Sequence, residues 1–366
     1  MTKVSIIVPC YNVEQYVSKC LDSLINQTLA DIEIICIDDK STDSTLKILK
    51  KYAAQDKRVK LFCQTKNHGV AIARNIGLEH AVGKYIGFVD PDDWVDLDFY
   101  EKLYNKALEL NVDIVQASVM VTNATNNTTH IGRFNYPKNS LSHFASAFWS
   151  AIYKKDMLVK HNIHFPPNIL TAEDSVFLTQ VSICAKGITF VQDTCYHYLY
   201  QRNGSLDSKY LSHAKAVSTL DALRLKLQYI CSANMSQSDF CKYLKYHVIK
   251  PALYALRKSY ERLDDHYQMF NFLVQLRTQY GIETYFDSVV PCRYRKAFKT
   301  NDFNKFIDVF STIRGHVYLF GFIPILKIEK SISDIKITLF DILPLIKIHN
   351  KKVYLFSFVP ILKIKR

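Results

Sequence analysis

Glycine is scarce in this chain, ten among 366 residues, and proline is equally scarce. That scarcity excludes a collagen-like or low-complexity chain, and with 48% hydrophobic and 22% charged residues most of the sequence is expected to fold. The nine cysteines are odd in number, widely scattered and never paired as CxxC, which excludes a disulfide framework or a zinc knuckle and favours a reducing compartment. No run reaches the roughly 18 apolar residues of a membrane span, because Lys, Asp or Glu interrupts each one. The apolar run at the amino terminus is too short for the core of an export signal, so none is expected. Acidic residues are outnumbered 34 to 47, leaving a net charge of +13 that favours polyanionic neighbours: nucleic acid, anionic lipid or phosphorylated ligands.

What is present alternates in period. Val4 to Val8 and Ile32 to Ile37 are short, β-branched apolar runs, the pattern of parallel strands buried on both faces. Between them Val13, Tyr16, Val17, Cys20 and Leu21 recur at helical spacing, which predicts a crossover helix over Val13 to Ser23. A helix after Asp43, a strand at Val59 to Phe62, a helix over Val70 to His80 and a strand at Tyr85 to Val89 follow. This alternation predicts an open α/β sheet, in which ligands gather where the strands end. Polar residues cluster at those ends: Tyr11 and Asn12, Asp38 and Asp39, Asn67 to Gly69, then Asp90, Asp92 and Asp93. Further on, TNATNNTT at 122–129 reads as an exposed loop, and residues 209 to about 313 as a helical region including Ala216 to Ile230 and Phe240 to Leu263. The tail repeats itself: VYLFGFIPILKIEK, IKITLFDILPLIKIHN and VYLFSFVPILKIKR share an aromatic-apolar run, a proline and a Lys-Ile pair.

Two acidic turns could carry chemistry. In DPDDW at 90–94, carboxylates two residues apart beyond a strand can chelate one hard divalent cation, and a cation with open positions is what a diphosphate needs. The alternative is a cap for a helix over Leu97 to Leu110. In DDKSTDST at 38–45, Ser41 or Asp43 can cap the next helix, whereas Asp39, one residue past the strand, can accept from the ring N–H of a pyrimidine. Arg74 lies on a helix that begins near the same edge and could reach a base or a phosphate.

PCYN at 9–12, IDDKSTDST at 37–45, KNHGVAIARNIGL at 66–78, GFVDPDDW at 87–94 and AED at 172–174 occur in that order. Over residues 3 to 205 the chain therefore resembles the family-2 glycosyltransferases of GT-A fold. The resemblance implies an α/β nucleotide-sugar-binding fold with a mixed, mostly parallel open sheet, followed by a helical region and a short repeat tail. It implies that Pro9, Tyr11 and Asp39 hold uracil and ribose, that Asn67 and Arg74 complete the nucleotide pocket, and that Asp90 lies near the ribose. Asp92, with Asp90 beside it, matches the DxD acid that holds Mn2+ or Mg2+ on the diphosphate. Asp174 matches the catalytic base of inverting members, Glu173 is its neighbour, and Arg202 matches a region that touches the diphosphate. Lys40 stands where the family often has Gly, so that turn either accepts strain or differs in shape. Pro91 inside the acidic motif fixes φ and removes neither carboxylate.

The expected activity is that of an inverting, metal-dependent hexosyltransferase. It would move a sugar from a UDP-sugar to a glycan or lipid-linked acceptor in cell-surface polysaccharide synthesis, in a capsule, lipooligosaccharide or similar polymer. One rival is a sugar-nucleotide pyrophosphorylase, which should show a Gly-rich phosphate loop where PCYNVEQ has no glycine. Another is a catalytically degenerate scaffold protein, against which the retained Asp90, Asp92 and Asp174 argue. No nucleic-acid motif accompanies the basic charge. The expected division is residues 1–115 as the nucleotide-sugar half, 116–208 as the acceptor half carrying the base, 209–314 as the helical region and 315–366 as the tail. That tail carries nine Lys or Arg against three Asp or Glu. It is expected to bring a cytoplasmic enzyme to the inner face of an anionic membrane, or to pack as short strands with each proline at an edge or bend.

Overall fold

The computed structural model describes residues 1–124, 128–131, 141, 147–200, 210–256, 259–260 and 263–305, and the strands of the carboxyl-terminal tail. The chain divides into two compact units, Met1–Asp265 and His266–Arg366.

The first unit is built on β1 (Val4–Cys10), α1 (Val17–Ile25), β2 (Ile32–Asp38), α2 (Thr45–Gln55), β3 (Val59–Cys63), α3 (Val70–His80) and β4 (Tyr85–Phe88). After these come β5 (Trp94–Val95), α4 (Phe99–Leu110), β6 (Ile114–Asn123), β7 (Thr129–Ile131), β8 (Ala151–Lys154), α5 (Lys155–Lys160), α6 (Glu173–Cys184) and β9 (Ile188–Tyr200). One nine-stranded sheet runs in the order β3-β2-β1-β4-β8-β6-β9-β5, with β7 paired to β6. Strands β1 to β4 are mutually parallel, β8 is antiparallel to β4 and β6, and β9 is parallel to β6. The sheet is the mixed, open type expected.

Alternation along the strands explains why β1 and β2 are apolar at nearly every position. Ile6, Val8, Ile34 and Cys36 join α1, α2 and α4 in one core, while Ile7, Ile35 and Ile37 join α3, α5 and α6 in another. The register aligns Cys10 with Asp38 and Asp38 with Cys63, so three parallel strands end at one level. The loops that follow them share that edge.

Three expectations are corrected. The first helix begins at Val17 rather than Val13, because the loop after β2 claims the preceding amides. Asn12, Val13 and Glu14 donate backbone N–H groups to Ser41 Oγ, Thr45 Oγ1 and Asp43 Oδ2, and Thr42 and Ser44 donate theirs to Asn12 Oδ1 and Glu14 Oε2. The stretch 122–129 is not all loop: Thr122 and Asn123 end β6, and Thr129 opens β7 opposite Thr122. Threonine suits a pleated ladder, and the two hydroxyls lie 3.3 Å apart. Finally, Phe240 to Leu263 is not one helix. It breaks into α8 (Gln237–Tyr243), a π-helical turn at Leu244–Ile249 and α9 (Lys250–Ala255). Pro251 has no N–H to give, and its ring crowds the preceding turn, so the widened turn accommodates it. The helical region also includes α7 (His213–Ser232) and a two-stranded parallel pair, β10 (Tyr210–Leu211) with β11 (Ser259–Tyr260).

Helices α10 (Leu263–Gln279), α11 (Glu283–Val289) and α12 (Cys292–Lys299) follow. In the second unit, Phe270 stacks on Phe298 at 4.8 Å, with Phe286 edge-on to Phe298. The tail forms a six-stranded antiparallel meander: β12 (Ile313–Leu319), β13 (Ile323–Lys330), β14 (Asp334–Leu339), β15 (Leu343–His349), β16 (Lys352–Leu355) and β17 (Val359–Lys363). Each sequence repeat is one hairpin, and the ladder shifts register opposite Pro324, Pro344 and Pro360, as a residue with no N–H to donate requires.

At the far edge of the first sheet, Ser5 Oγ donates to the buried Glu33 carboxylate at 2.5 Å and accepts from Gly83 N at 2.7 Å. A Cβ at Gly83 would lie 2.5 Å from Ser5 N and 2.8 Å from Val4 C, both backbone atoms that cannot step aside. Gly83→Ala is therefore expected to destabilise the chain by about 1–3 kcal/mol, read as a clear fall in Tm. Gly187→Ala meets only the Val112 side chain, at 3.3 Å, and serves as the comparison. Equal Tm values for the two variants would contradict this packing.

Candidate functional site

The carboxyl edge of the sheet is shaped by backbone that few side chains tolerate. Asn12, Lys40 and Gly69 have φ of 50°, 64° and 91°, all in the left-handed half of the map. Lys40 thus takes the conformation a glycine would take, at a cost of about 1–2 kcal/mol, and the turn keeps its shape by accepting strain. Gly69 lets two consecutive amides face one carboxylate. Asp39, only 3% exposed, accepts from His68 N at 2.8 Å and from Gly69 N at 2.7 Å. An anion therefore sits where the first N–H groups of α3 emerge.

One turn into α3, Arg74 is 5% exposed. Its Nη2 donates to Asp90 Oδ1 at 2.9 Å and its Nη1 to Glu173 Oε1 at 2.8 Å. Its guanidinium also lies over the rings of Phe148 and Phe165, at 4.6 and 5.2 Å. Burial lowers the guanidinium's affinity for its proton, but the charges of Asp90, Glu173 and Asp174 outweigh that and raise it. The bridge joins the acid that follows β4 to the first residue of α6. Ala172 precedes that helix with φ of 70°, and Ser175 N donates to Asp174 Oδ1 at 2.7 Å. Glu173 and Asp174 therefore stand in the first turn of α6, where the helix dipole favours negative charge.

The acids after β4 do different work. Asp93 is 1% exposed and points inward: its Oδ1 accepts from Leu199 N and its Oδ2 from Tyr196 Oη, each at 2.8 Å. Tyr196 Oη in turn accepts from Asp90 N at 3.1 Å. Asp93 thus fastens the acidic turn to β9. Burial, then the charges of Asp92 and Asp90, push its carboxyl well above the usual range. The same repulsion tests the fit of a cation. Asp90 and Asp92 are partly exposed, supply hard oxygen donors and repel one another's neighbour, and this chemistry suits Mg2+ or Mn2+. Among the described residues no three His, Cys, Asp or Glu side chains converge as a complete metal site. Phosphate oxygens and water would have to fill the rest of the shell.

Of the residues singled out from sequence, Arg74, Asp90, Glu173 and Asp174 come together. Asp39 joins them through α3, whose start it anchors. Pro9 is buried in β1, while Tyr11 and Asn67 are exposed on the strand-end loops. Arg202 lies outside the described residues. The sequence reading missed the inward turn of Asp93 and its partner Tyr196, which no local pattern marks. It also missed Lys226 on α7, whose polar head within an apolar helix face was the available signal.

Comparison with known proteins bears on the family and the fold. Residues 5–169 match the profile described as "Glycosyl transferase family 2". The chain is 31% identical over 261 residues to the cholesterol galactosyltransferase of Borreliella burgdorferi, spanning 66% of this chain and 72% of that protein. The chain belongs to glycosyltransferase family 2. Another member, the poly(ribitol-phosphate) beta-glucosyltransferase of Bacillus spizizenii, is 37% identical over 208 residues, 55% of this chain. This family-2 chain spans only 33% of that relative's length. The crystal structure of Staphylococcus aureus TarS 1–349 in complex with UDP superposes with a TM-score of 0.68 at 22% identity, covering 84% of this chain and 90% of that one. That likeness is one of fold, the GT-A fold of the family.

Glu173 gives the edge a pH dependence. Burial, then the charge of Asp174, pushes its carboxyl from 4.5 to about 7, against the pull of Arg74. The folded chain thus binds more protons than the unfolded one between those values. Stability from this group is fully present below about 4.5 and is lost as pH rises through about 7. Thermal melts across that window should show a flatter Tm curve for Glu173→Gln than for wild type. Parallel curves would mean that the carboxyl titrates normally.

Proposed function

We propose that this chain is an inverting hexosyltransferase that moves a sugar from a UDP-sugar to a glycan or lipid-linked acceptor in cell-surface polysaccharide synthesis. The observation that carries this reading is the Arg74 bridge between Asp90 and Glu173, which gathers the strand-end acids and the first acids of α6 at one edge. TarS, which shares the fold, has been crystallised with UDP, and the Bacillus spizizenii relative is named for the transfer of glucose to a poly(ribitol-phosphate).

In this reading residues 1–115 hold the nucleotide sugar, 116–208 present the acceptor and the base, and 209–314 and 315–366 are the helical region and the tail. Pro9, Tyr11 and Asp39 hold the base and ribose. Each Asp39 oxygen already accepts one amide N–H and keeps a lone pair for the ring N–H of uracil. Asn67 and Arg74 complete that pocket, and Arg202 approaches the diphosphate. Asp92 and Asp90 would hold Mn2+ or Mg2+, which when bound neutralises charge on the diphosphate.

The reaction follows from the carboxylates. As the acceptor oxygen bonds to the anomeric carbon, the bond from that carbon to the diphosphate oxygen breaks, and its electron pair leaves with UDP. Asp174 takes the proton from the acceptor hydroxyl. Glu173, whose carboxyl is pushed up by burial and by the charge of Asp174, is held by Arg74. One displacement inverts the configuration.

Release of UDP from a panel of UDP-sugars, with Mn2+ present, tests this reading. Asp174→Asn should lower turnover about 10²- to 10⁴-fold with UDP affinity nearly unchanged, because an amide keeps the shape but cannot take the proton. Asp92→Ala or EDTA should weaken UDP binding itself. An active Asp174→Asn beside an inactive Glu173→Gln would move the base to Glu173, and UDP affinity insensitive to both Asp92→Ala and EDTA would remove the metal.

The tail proposal is membrane association. Among the described residues no helix is long and apolar enough to cross a membrane. The ladder aligns Lys336 with Lys347 and Lys352 with Lys363, and aligns Ile337 with Ile328 and Ile346. Lys336, Lys347, Lys352 and Lys363 thus hold positions on one face of the sheet and Ile328, Ile337 and Ile346 on the other, while Lys330 aligns with Ile335 on the isoleucine face. Basic positions near anionic lipid contribute up to about 1 kcal/mol each. Full-length protein should float with anionic liposomes and a chain ending at Arg314 should not; equal recovery of the two would end the proposal.

A further inference from the structure

The first turn of α6 also has a partner on α7. Lys226, in the middle of α7, is 2% exposed. A lysine ordinarily extends its ammonium to water, and this one does not reach it. Its Nζ donates to Ser175 Oγ at 3.3 Å. Ser175 Oγ donates to Ala172 O at 2.8 Å, and Ser175 N donates to Asp174 Oδ1. The ammonium is therefore wired through a single residue to both the strained Ala172 and the Asp174 carboxylate.

Among the described residues the one hydrogen-bond partner of this ammonium is a hydroxyl, and a buried cation so placed is costly, by several kcal/mol, unless an anion stands close by. The elements packed against α7 offer few anions. On α6 there are Glu173 and Asp174. The π-helical turn carries His247, whose Nδ1 lies 2.9 Å from Thr179 Oγ1. On α8 there are Asp239, which is paired to Lys242, and Tyr243, which donates to Ser182 O. On α9 there are Lys250 and Tyr254. Glu173 is held by Arg74. Asp174 remains: burial presses the Lys226 amine down to about 8, and the charge of Asp174 is what opposes that loss.

We propose that Lys226 is a positioning residue for the transfer reaction: its enclosed ammonium is the charge partner of the Asp174 carboxylate and, through Ser175, fixes it at the start of α6. This rests on the reading of Asp174 as the base. In that reading Arg74 ties Glu173 to the nucleotide side, and Lys226, through Ser175, braces Asp174 from α7.

The test compares wild type, Lys226→Met, Lys226→Gln and Lys226→Arg in UDP release from whichever UDP-sugar is fastest in the panel. The neutral variants should move the acid limb of the kcat/KM profile upward by about one pH unit or more, with most of the loss in kcat. Lys226→Arg should restore the limb. A second readout needs no activity: in the Asp174→Asn background the ammonium has lost its counter-ion, so Lys226→Met should raise Tm there while lowering it in wild type. An unmoved acid limb in the neutral variants, or the same Tm change in both backgrounds, overturns the proposal. If Asp174→Asn is itself as active as wild type, the base assignment has failed instead, and the Tm comparison still decides whether the two side chains are charge partners.

Discussion

One buried cation makes the arrangement at the carboxyl edge possible. Asp90 and Glu173 lie 83 residues apart in the chain, and each would resist burial beside the other. The guanidinium of Arg74 answers both charges with separate nitrogens, a task suited to its forked, planar geometry and beyond an ammonium. Aromatic rings pin it in turn. Phe148 and Phe165 flank the guanidinium, and Phe165 stacks on Phe177 of α6 at 4.3 Å with the planes nearly parallel. The helix that presents the acids and the cation that binds them are thus seated on the same apolar layer. Were that layer loosened, the two halves of the site would lose their common reference.

Much of this was legible in the sequence wherever the determinant is local. The apolar runs of β1 and β2 announce strands covered on both sides, and the helix predicted over Val70 to His80 is α3 residue for residue. Whatever depends on distant partners was not legible. The delayed start of α1 is decided by Ser41, Asp43 and Thr45, about thirty residues away. Asp93 is identical in type to Asp90 and Asp92, and only Tyr196 and Leu199 reveal that it faces the interior. Pro251 did carry a local signal. A helix drawn from Phe240 to Leu263 passes over a proline, and apolar periodicity alone conceals the widened π turn just before it.

The edge is also where the backbone is least comfortable. Asn12, Lys40, Gly69 and Ala172 all hold left-handed φ, and two of the four, Lys40 and Ala172, bear side chains that disfavour it. Such strain persists where surrounding contacts over-determine the conformation. Here the contacts are visible: Asn12 is laced to the loop after β2, Gly69 is held by Asp39, and Ala172 O accepts from Ser175. The connections that carry Asn12 and Gly69 are both locked by hydrogen bonds to the loop after β2, so these loops act as one rigid rim and not as independent hinges.

The tail repeat has an evolutionary corollary. Because each copy folds as a complete hairpin paired to the next, duplicating or deleting one copy adds or removes two strands and leaves the ladder's direction and pairing rule unchanged. The sheet ends in open strands, β12 and β17, so growth by unequal recombination meets no topological barrier. Copy number is then a heritable dial on the breadth of the tail, adjustable without touching a residue of the nucleotide-sugar fold.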